Sequence, residues 1–523
     1  MHKIKMQLRH LFFEGEVIRL MGMTLLVKPV GLVTQVLIAR YFGAGAEYDA
    51  YAFAVFLISF LDQAVGATYN AIIVPVTIRL RAEYGERTIQ RYQNAVIALF
   101  MAPVVVYMIA LLARSQWIVG LFGANLPEAT RVQVDHMVRW MALPGIAMVS
   151  TTMGKAVLNL NRRYRLAGAM PLFNAVFTLA AVMLFHKSLG IWSLPIGFMV
   201  SNVGQFLIVS SFTFTSRCVQ PVRPAMPPGT RSQLWALAWP LLVSQVMVTL
   251  NASIDKLFAS GLEVGSISAI TYASTILNMG VQLFSTSVIV IMFTRMSEMI
   301  AAGDMRVCSN YIHDNLHRVS RLVVPASLAL CLASGEIVRI LFQRGAFDAS
   351  DATRTSGALA VYMLGLPALI TNFVLARIYH TLQKLRARIW LTAQYLATAA
   401  LGNVLLVKSL KVTGLAISAS LAINIHLLLS LWMLGRFRSG LDVGGFTRVI
   451  FKAYALAAFA WLLYSLTGFG RLMDGWRIRT TFIGAFEVAA CRATFVIGAY
   501  ALAYLAWRRY EKRPRPPVVP ATA

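Results

Sequence analysis

Apolar runs of about twenty residues recur along this whole chain, and that recurrence constrains the fold more tightly than any motif. A helix of about 20 residues crosses a hydrocarbon core of roughly 30 Å. Such runs lie near 17–41, 50–77, 92–113, 137–158, 167–186, 190–214, 235–259, 266–294, 317–343, 355–379, 388–408, 412–435, 447–468 and 482–507. They are unbroken and lack the alternation of a membrane strand, so they read as helices rather than a barrel. With 58% hydrophobic and 13% charged residues and a mean hydropathy of +0.66, the chain is too apolar for a water-soluble protein of 523 residues. The expected fold is an all-α integral membrane protein with about 14 transmembrane helices.

A second pattern groups those helices. Ile337-Val338, Leu341-Phe342-Gln343-Arg344-Gly345-Ala346-Phe347, Leu366-Pro367 and the basic run Lys384–Arg388 have counterparts about 220 residues upstream. The counterparts are Ile118-Val119, Leu121-Phe122-Gly123-Ala124, Leu143-Pro144 and Arg162-Arg163-Tyr164-Arg165. Lys155 falls where Arg377 stands in the second copy. This spacing reads as an internal duplication, two six-helix lobes followed by a helix pair. Six spans is an even number, so both lobes enter from one side, as parallel repeats do. The expected organisation is a cytoplasmic segment 1–16, a first lobe 17–215, a cytoplasmic linker 216–234, a second lobe 235–436, an extra helix pair 447–507 and a basic cytoplasmic tail 508–523. The linker is marked by Pro221, Pro224, Pro227, Pro228 and Gly229.

The net charge of +27 does not indicate nucleic acid, because Lys and Arg do not gather on one domain or helix. They sit in alternate loops, on the side that holds Lys3, Lys5, Arg9 and Arg508–Arg515. That bias places both termini in the cytoplasm. The first apolar run has no small-residue cleavage site and reads as a span, not a removable signal. Cys218, Cys308, Cys331 and Cys491 show no metal-ligand or disulfide spacing. No phosphate-binding loop, zinc-protease motif or nucleophile elbow is present. An ATP-driven pump or a membrane hydrolase is therefore not expected, and no catalytic residue, metal or cofactor is indicated.

Charges inside spans are costly, about 2.5–3.5 kcal/mol each on insertion scales, and normally face a watery cavity or a partner. Lys28 lies mid-span beside Pro29, which is expected to kink the helix. It is either a cavity cation or one half of a structural ion pair. Asp49 follows the turn Phe42-Gly43-Ala44-Gly45 and could cap the second helix or serve as a proton or ligand site. Asp62-Gln63 lies deeper, a partner for some unnamed inward cation. Lys155, Asn251, Asp255 and Lys256 complete the set. Arg162, Arg163 and Arg165 read as inner-face anchors, with phosphate contact as the alternative. The small residues Gly265–Thr275 read as a close helix contact. Glu487 and Arg492 stand five apart, off the favourable spacing, and receive no role.

Several of these segments carry a resemblance. Phe42-Gly43-Ala44-Gly45 with Asp49-Ala50, Gly265–Ala269 with Tyr272-Ala273, Arg295-Met296-Ser297, and Leu341–Phe347 with Asp351-Ala352 resemble the MurJ/MviN lipid II flippases of the MATE/polysaccharide-exporter superfamily. The likeness covers roughly residues 20–435. It implies movement of a polyprenyl-diphosphate-linked glycan from the inner to the outer leaflet of the bacterial cytoplasmic (inner) membrane by alternating access. The partners implied are the lipid-linked sugar diphosphate, membrane lipids and cell-envelope synthesis enzymes. In that scheme Lys28 stands where the family carries a cavity arginine, without the bidentate fork. A second family arginine falls at Thr34-Gln35, the second helix lacks the family's Arg-Arg and Glu-Gly, and the eighth reads Tyr272-Ala273-Ser274-Thr275-Ile276. Lys155, Lys256 and Arg377 would supply replacement charge for the diphosphate. Energy would come from an ion gradient or the membrane potential, the ion being open, with Asp49, Asp62 and Asp255 as coupling candidates. Alternative readings are an exopolysaccharide or O-antigen precursor as cargo, a small-molecule exporter, and a non-transporting envelope scaffold.

Overall fold

The computed structural model describes residues 27–511, apart from 85, 162, 217, 228, 302, 438–439 and 477–481. Every regular element among the described residues is a helix. In order they are α1 (27–42), α2 (Ala46–Leu61), a wide π-turn (Asp62–Gly66), α3 (Ala67–Glu83), α4 (Glu86–Phe122), α5 (Glu128–Leu160), α6 (Tyr164–Leu189), α7 (Ser193–Thr215) and α8 (Thr230–Ala259). There follow α9 (Ser266–Ala301), α10 (Met305–Leu332), α11 (Ser334–Phe342), α12 (Ala349–Thr381), α13 (Leu385–Arg436), α14 (Val443–Leu466), α15 (Phe469–Trp476) and α16 (Phe482–Glu511).

The helices follow the apolar runs because a membrane leaves the backbone no other partner for its N–H and C=O groups. Their ends follow local chemistry. Asp304 caps α10 by accepting from Val307 N at 3.1 Å, and Asp442 caps α14 from Gly445 N at 2.8 Å. Gly229, at φ +78°, turns the chain into α8.

Nine runs of the described residues are long and apolar enough to cross a membrane, ten if α10 and α11, bent by 69°, form one broken span. Two of those runs, Tyr164–Thr215 and Arg386–Arg436, are 52 and 51 residues long, more than twice what one crossing of roughly 30 Å requires. The first is divided at Gly190 and the second at Lys411. The expected fourteen is a larger number than these separate runs supply. The first expected span begins outside the described residues.

Helix breaks recur at the period of the expected duplication. Helix α4 breaks at Arg114, whose φ is −141° and ψ 38°. About 220 positions later the second copy breaks at Ala333, between α10 and α11. Pro144 lies inside α5 and its counterpart Pro367 inside α12.

By contacts the chain forms two compact units. One comprises Met1–Tyr272, Phe342–Asp351 and Val407–Leu415. Within it α5 packs against α2, α4 and α7, α6 against α7, and α8 against α3 and the π-turn. The other comprises Ala273–Leu341, Ala352–Leu406 and Ala416–Ala523. In this second unit α10, α14 and α16 pack together around Val324, Leu328, Ala460, Val496 and Tyr500. The final helix pair of the sequence reading is thus α14 and α16. Arg492, given no role from sequence, pairs with buried Glu336 of α11 at 3.5 Å and donates to Leu332 O at 2.8 Å. Glu487 is exposed. The partner of Arg492 comes from a distant helix, so sequence spacing could not show it.

Candidate functional site

Three of the four segments that carried the resemblance meet at one buried node in the first unit. The turn after α1 brings Gly43 to φ +64°, and the loop after α11 brings Gly345 to φ +61°. Each glycine is required twice over, for its backbone conformation and for space. A Cβ on Gly43 would run into the Ala346 carbonyl, and one on Gly345 into the Arg40 carbonyl. The loops interlock through Ala346 N, which donates to Arg40 O at 2.9 Å. Tyr272, fully buried, donates its hydroxyl to Gly43 O at 3.0 Å. Its ring stacks on Tyr48 at 4.9 Å and meets Phe347 edge-on at 5.4 Å.

Two carboxylates close the node. Asp49 accepts from Gly265 N at 2.6 Å, Ser268 N at 2.7 Å and the Ser268 hydroxyl. Asp351 accepts from Ala44 N at 3.2 Å. The expected cap of α2 by Asp49 is not made: α2 begins after Gly45 with no side-chain cap. Asp49 instead caps α9, whose first N–H groups are short of helix partners and carry partial positive charge. Aspartate suits that place because its carboxylate accepts directly from the N–H groups of the helix start.

A second cluster lies at the π-turn. Wide turns of this kind interrupt the helical ladder and are frequent at functional sites. Asp62 opens the turn, half-buried, with the Thr152 side chain against its carboxylate and the Lys155 ammonium within electrostatic reach. Its Oδ1 has no hydrogen-bond partner among the described residues. Gly66 makes the approach of α5 possible, since a Cβ there would stand 2.8 Å from Thr152 Cγ2 and 3.2 Å from Asp62 Oδ1. The cation that the sequence left unnamed for Asp62 is therefore Lys155. One candidate coupling group and one candidate phosphate-binding group thus lie within electrostatic reach of each other.

The other candidates are spread out. Lys28 lies half-exposed in the first described turn of α1, with no charged partner among the described residues. Pro29 stands beside it, and the preceding stretch of the expected kink lies outside the described residues. Thr34 and Gln35, at the place of the second family arginine, are engaged locally: Thr34 Oγ1 donates to Val30 O at 2.8 Å, and Gln35 Oε1 accepts from Tyr48 at 3.3 Å. Lys256 occupies the last turn of α8, where a cation complements the helix dipole. Asp255 precedes it, half-buried. Arg377 belongs to the second unit, exposed on α12. Sequence reading missed the mutual contacts of the node; the glycines at 43 and 345 were the available signal.

Comparison with known proteins gives a consistent result. A model of the family described as "Lipid II flippase MurJ" matches residues 38–486. A Burkholderia cenocepacia protein named "Lipid II flippase MurJ" is 26% identical over 422 residues, covering 78% of this chain and 81% of its own length. A Rhizobium tropici protein named "Probable lipid II flippase MurJ" is 24% identical over 415 residues, 77% of each chain. Among solved structures, "Lipid II flippase MurJ, inward closed conformation" superposes with a TM-score of 0.78 at 19% identity, covering 95% of this chain and 100% of that one. An inward-facing MATE family multidrug resistance transporter gives a TM-score of 0.62 at 13% identity, covering 81% of this chain and 95% of its own. These structural likenesses concern the fold.

Proposed function

The chain belongs to the lipid II flippase MurJ family, and from that premise we propose that it moves a lipid II-type, polyprenyl-diphosphate-linked glycan precursor between leaflets. The direction is from the inner to the outer leaflet of a bacterial cytoplasmic membrane, by alternating access. The observation that carries this reading is the extent of the family match, which takes in both the interlocked node and the Asp62–Lys155 pair. With both termini cytoplasmic, the turn at Gly43 and the loop at Gly345 fall on the outer side. The node is then a latch that joins the turn after α1, the start of α2, the first residues of α9 and the loop at Gly345 within the first unit.

A diphosphate needs cations whose charge is free to meet it. Lys28, Lys155, Lys256 and Arg377 are the proposed contacts, and Lys28 is the strongest because it has no charged partner among the described residues. Lys155 is shared with Asp62, so substrate phosphate would compete with the carboxylate for it. That competition offers a route to coupling: release of Asp62 from Lys155 leaves a carboxylate ready to take a proton or a cation. An ion gradient or the membrane potential would then drive the cycle, with Asp49 and Asp255 as further candidates. Cell-envelope synthesis enzymes are the expected partners in supplying and consuming such a lipid.

The test is rescue of a strain conditionally depleted of its lipid II flippase, with wild type and Lys28→Ala at equal expression. Rescue by wild type alone supports the reading and the role of Lys28. Rescue by both keeps lipid II as cargo and makes Lys28 structural. Failure of both, with folded protein in the membrane, removes lipid II and points to another lipid-linked glycan.

A further inference from the structure

Three arginines within these helices show a contrast in how they are held. Arg492 is paired with the Glu336 carboxylate at 3.5 Å, and Arg139 with Asp135 at 3.0 Å. Their charge is met on the spot by a buried carboxylate. Arg388, half-buried in the first turn of α13, is held by a histidine instead: its Nη1 lies 3.2 Å from His426 Nε2. No carboxylate among the described residues pairs with it.

The protonation state of that histidine follows from its partners. His426 is 4% exposed, and its Nδ1 lies 2.9 Å from Leu391 O. A carbonyl oxygen can only accept, so Nδ1 carries the hydrogen. A guanidinium can only donate, so Nε2 carries the lone pair. His426 is therefore neutral, and it orients Arg388 without cancelling its charge. Two more basic side chains, Arg377 and His380, come from the end of α12, and His380 lies within electrostatic reach of both arginines. Both α12 side chains are exposed. Holding Arg388 beside His380 without a carboxylate costs free energy unless an anion meets them.

We propose that Arg388, positioned by His426 and flanked by Arg377 and His380, is a binding site for the diphosphate of the lipid-linked substrate. The site rests on the transport reading above and adds a contact to it. It stands at the α12–α13 elbow, which that reading puts at the inner leaflet. Arg388 meets phosphate oxygens with the guanidinium edge that His426 leaves free, the geometry in which arginine binds phosphate best. His426 is a positioning residue and touches no phosphate.

Pyrophosphate is the probe. Its binding to the full chain in phosphatidylcholine nanodiscs is read by titration calorimetry. R388Q weakens binding by about tenfold or more, the loss expected for one charge-assisted bidentate contact. H426A weakens it several-fold, and H426Q restores it, because an amide oxygen can accept from Arg388 as Nε2 does. If R388Q does not fold, R388K decides: it keeps the charge and loses the fork, and binding falls several-fold. Wild-type affinity in R388Q, or in R388K where that variant decides, overturns the proposal. Binding that depends on Arg388 only for phosphatidylglycerol vesicles, with pyrophosphate unaffected, also overturns it and makes the site one for resident lipid. Rescue of the depleted strain by wild type alongside either result leaves the transport reading standing. Arg388-dependent pyrophosphate binding without rescue removes lipid II as cargo and leaves the site.

Discussion

Gly190 and Lys411 occupy the same backbone conformation, φ 55° and ψ −134° for the glycine, φ 50° and ψ −130° for the lysine. They lie about 220 positions apart, the period of the duplication, and each divides a run of more than fifty residues into two helices. In the first copy the residue is one that adopts this region freely. In the second it has a side chain, and such a conformation costs on the order of 1–3 kcal/mol for a non-glycine residue. Lys411 also pairs with Glu263, but their side chains are 61% and 63% exposed, and an ion pair that open contributes about 0–1 kcal/mol.

Lys411→Gly should therefore stabilise the protein. Relief of strain exceeds both the lost surface pair and the added unfolded-state freedom, about 0.5–1 kcal/mol, that glycine brings. The expected net gain is about 1 kcal/mol, seen as a higher apparent melting temperature in detergent. Glu263→Gln should leave that temperature nearly unchanged. A lower melting temperature for Lys411→Gly alone would show that the strain reading of this corner is wrong.

Asp49→Ala should leave the start of α9 without its cap. Two buried N–H groups and the Ser268 hydroxyl lose their acceptor, at a cost of about 2–3 kcal/mol. Asp49→Asn retains one acceptor oxygen and should lose about half as much. Melting temperatures of the two variants beside wild type settle the order, and an equal loss would mean that charge, not capping, is what the site needs.

The interlocked loops predict a contrast between neighbouring glycines. Gly43→Ala drives a methyl into the Ala346 carbonyl and should abolish accumulation of folded protein. Gly45→Ala meets nothing closer than Phe42 O at 3.9 Å and should be recovered in near wild-type yield. Size-exclusion profiles of membrane extracts distinguish the two; equal profiles would argue against the interlock.

Arg492→Leu removes one half of a buried pair, a loss of about 3–5 kcal/mol. Arg492→Leu combined with Glu336→Met should recover most of it, because two apolar side chains need no partner. Recovery is read from the melting temperature of the double variant relative to each single one.

Apolar run length alone determined that the chain is helical and membrane-spanning, because a bilayer gives the backbone no other way to satisfy its polar groups. The repeated Leu-Phe and Leu-Pro segments suggested a period of about 220 residues, and helix breaks at Arg114 and Ala333 follow that period. Glycines at 43 and 345 marked loops of special shape. What they touch was decided by the tertiary structure. Asp49 was read as a cap for its own helix, and it caps one more than two hundred residues away. For Asp62 the sequence named no cation, and only packing against α5 brought Lys155 within electrostatic reach. Arg492 and Arg388 look alike in sequence, as basic residues in or beside apolar runs. One is neutralised by Glu336 and the other is held by a neutral His426. Periodicity and composition act along the chain and can be read from it. A charge's partner is set by which helices approach each other in space, and that is decided only when the whole chain has packed.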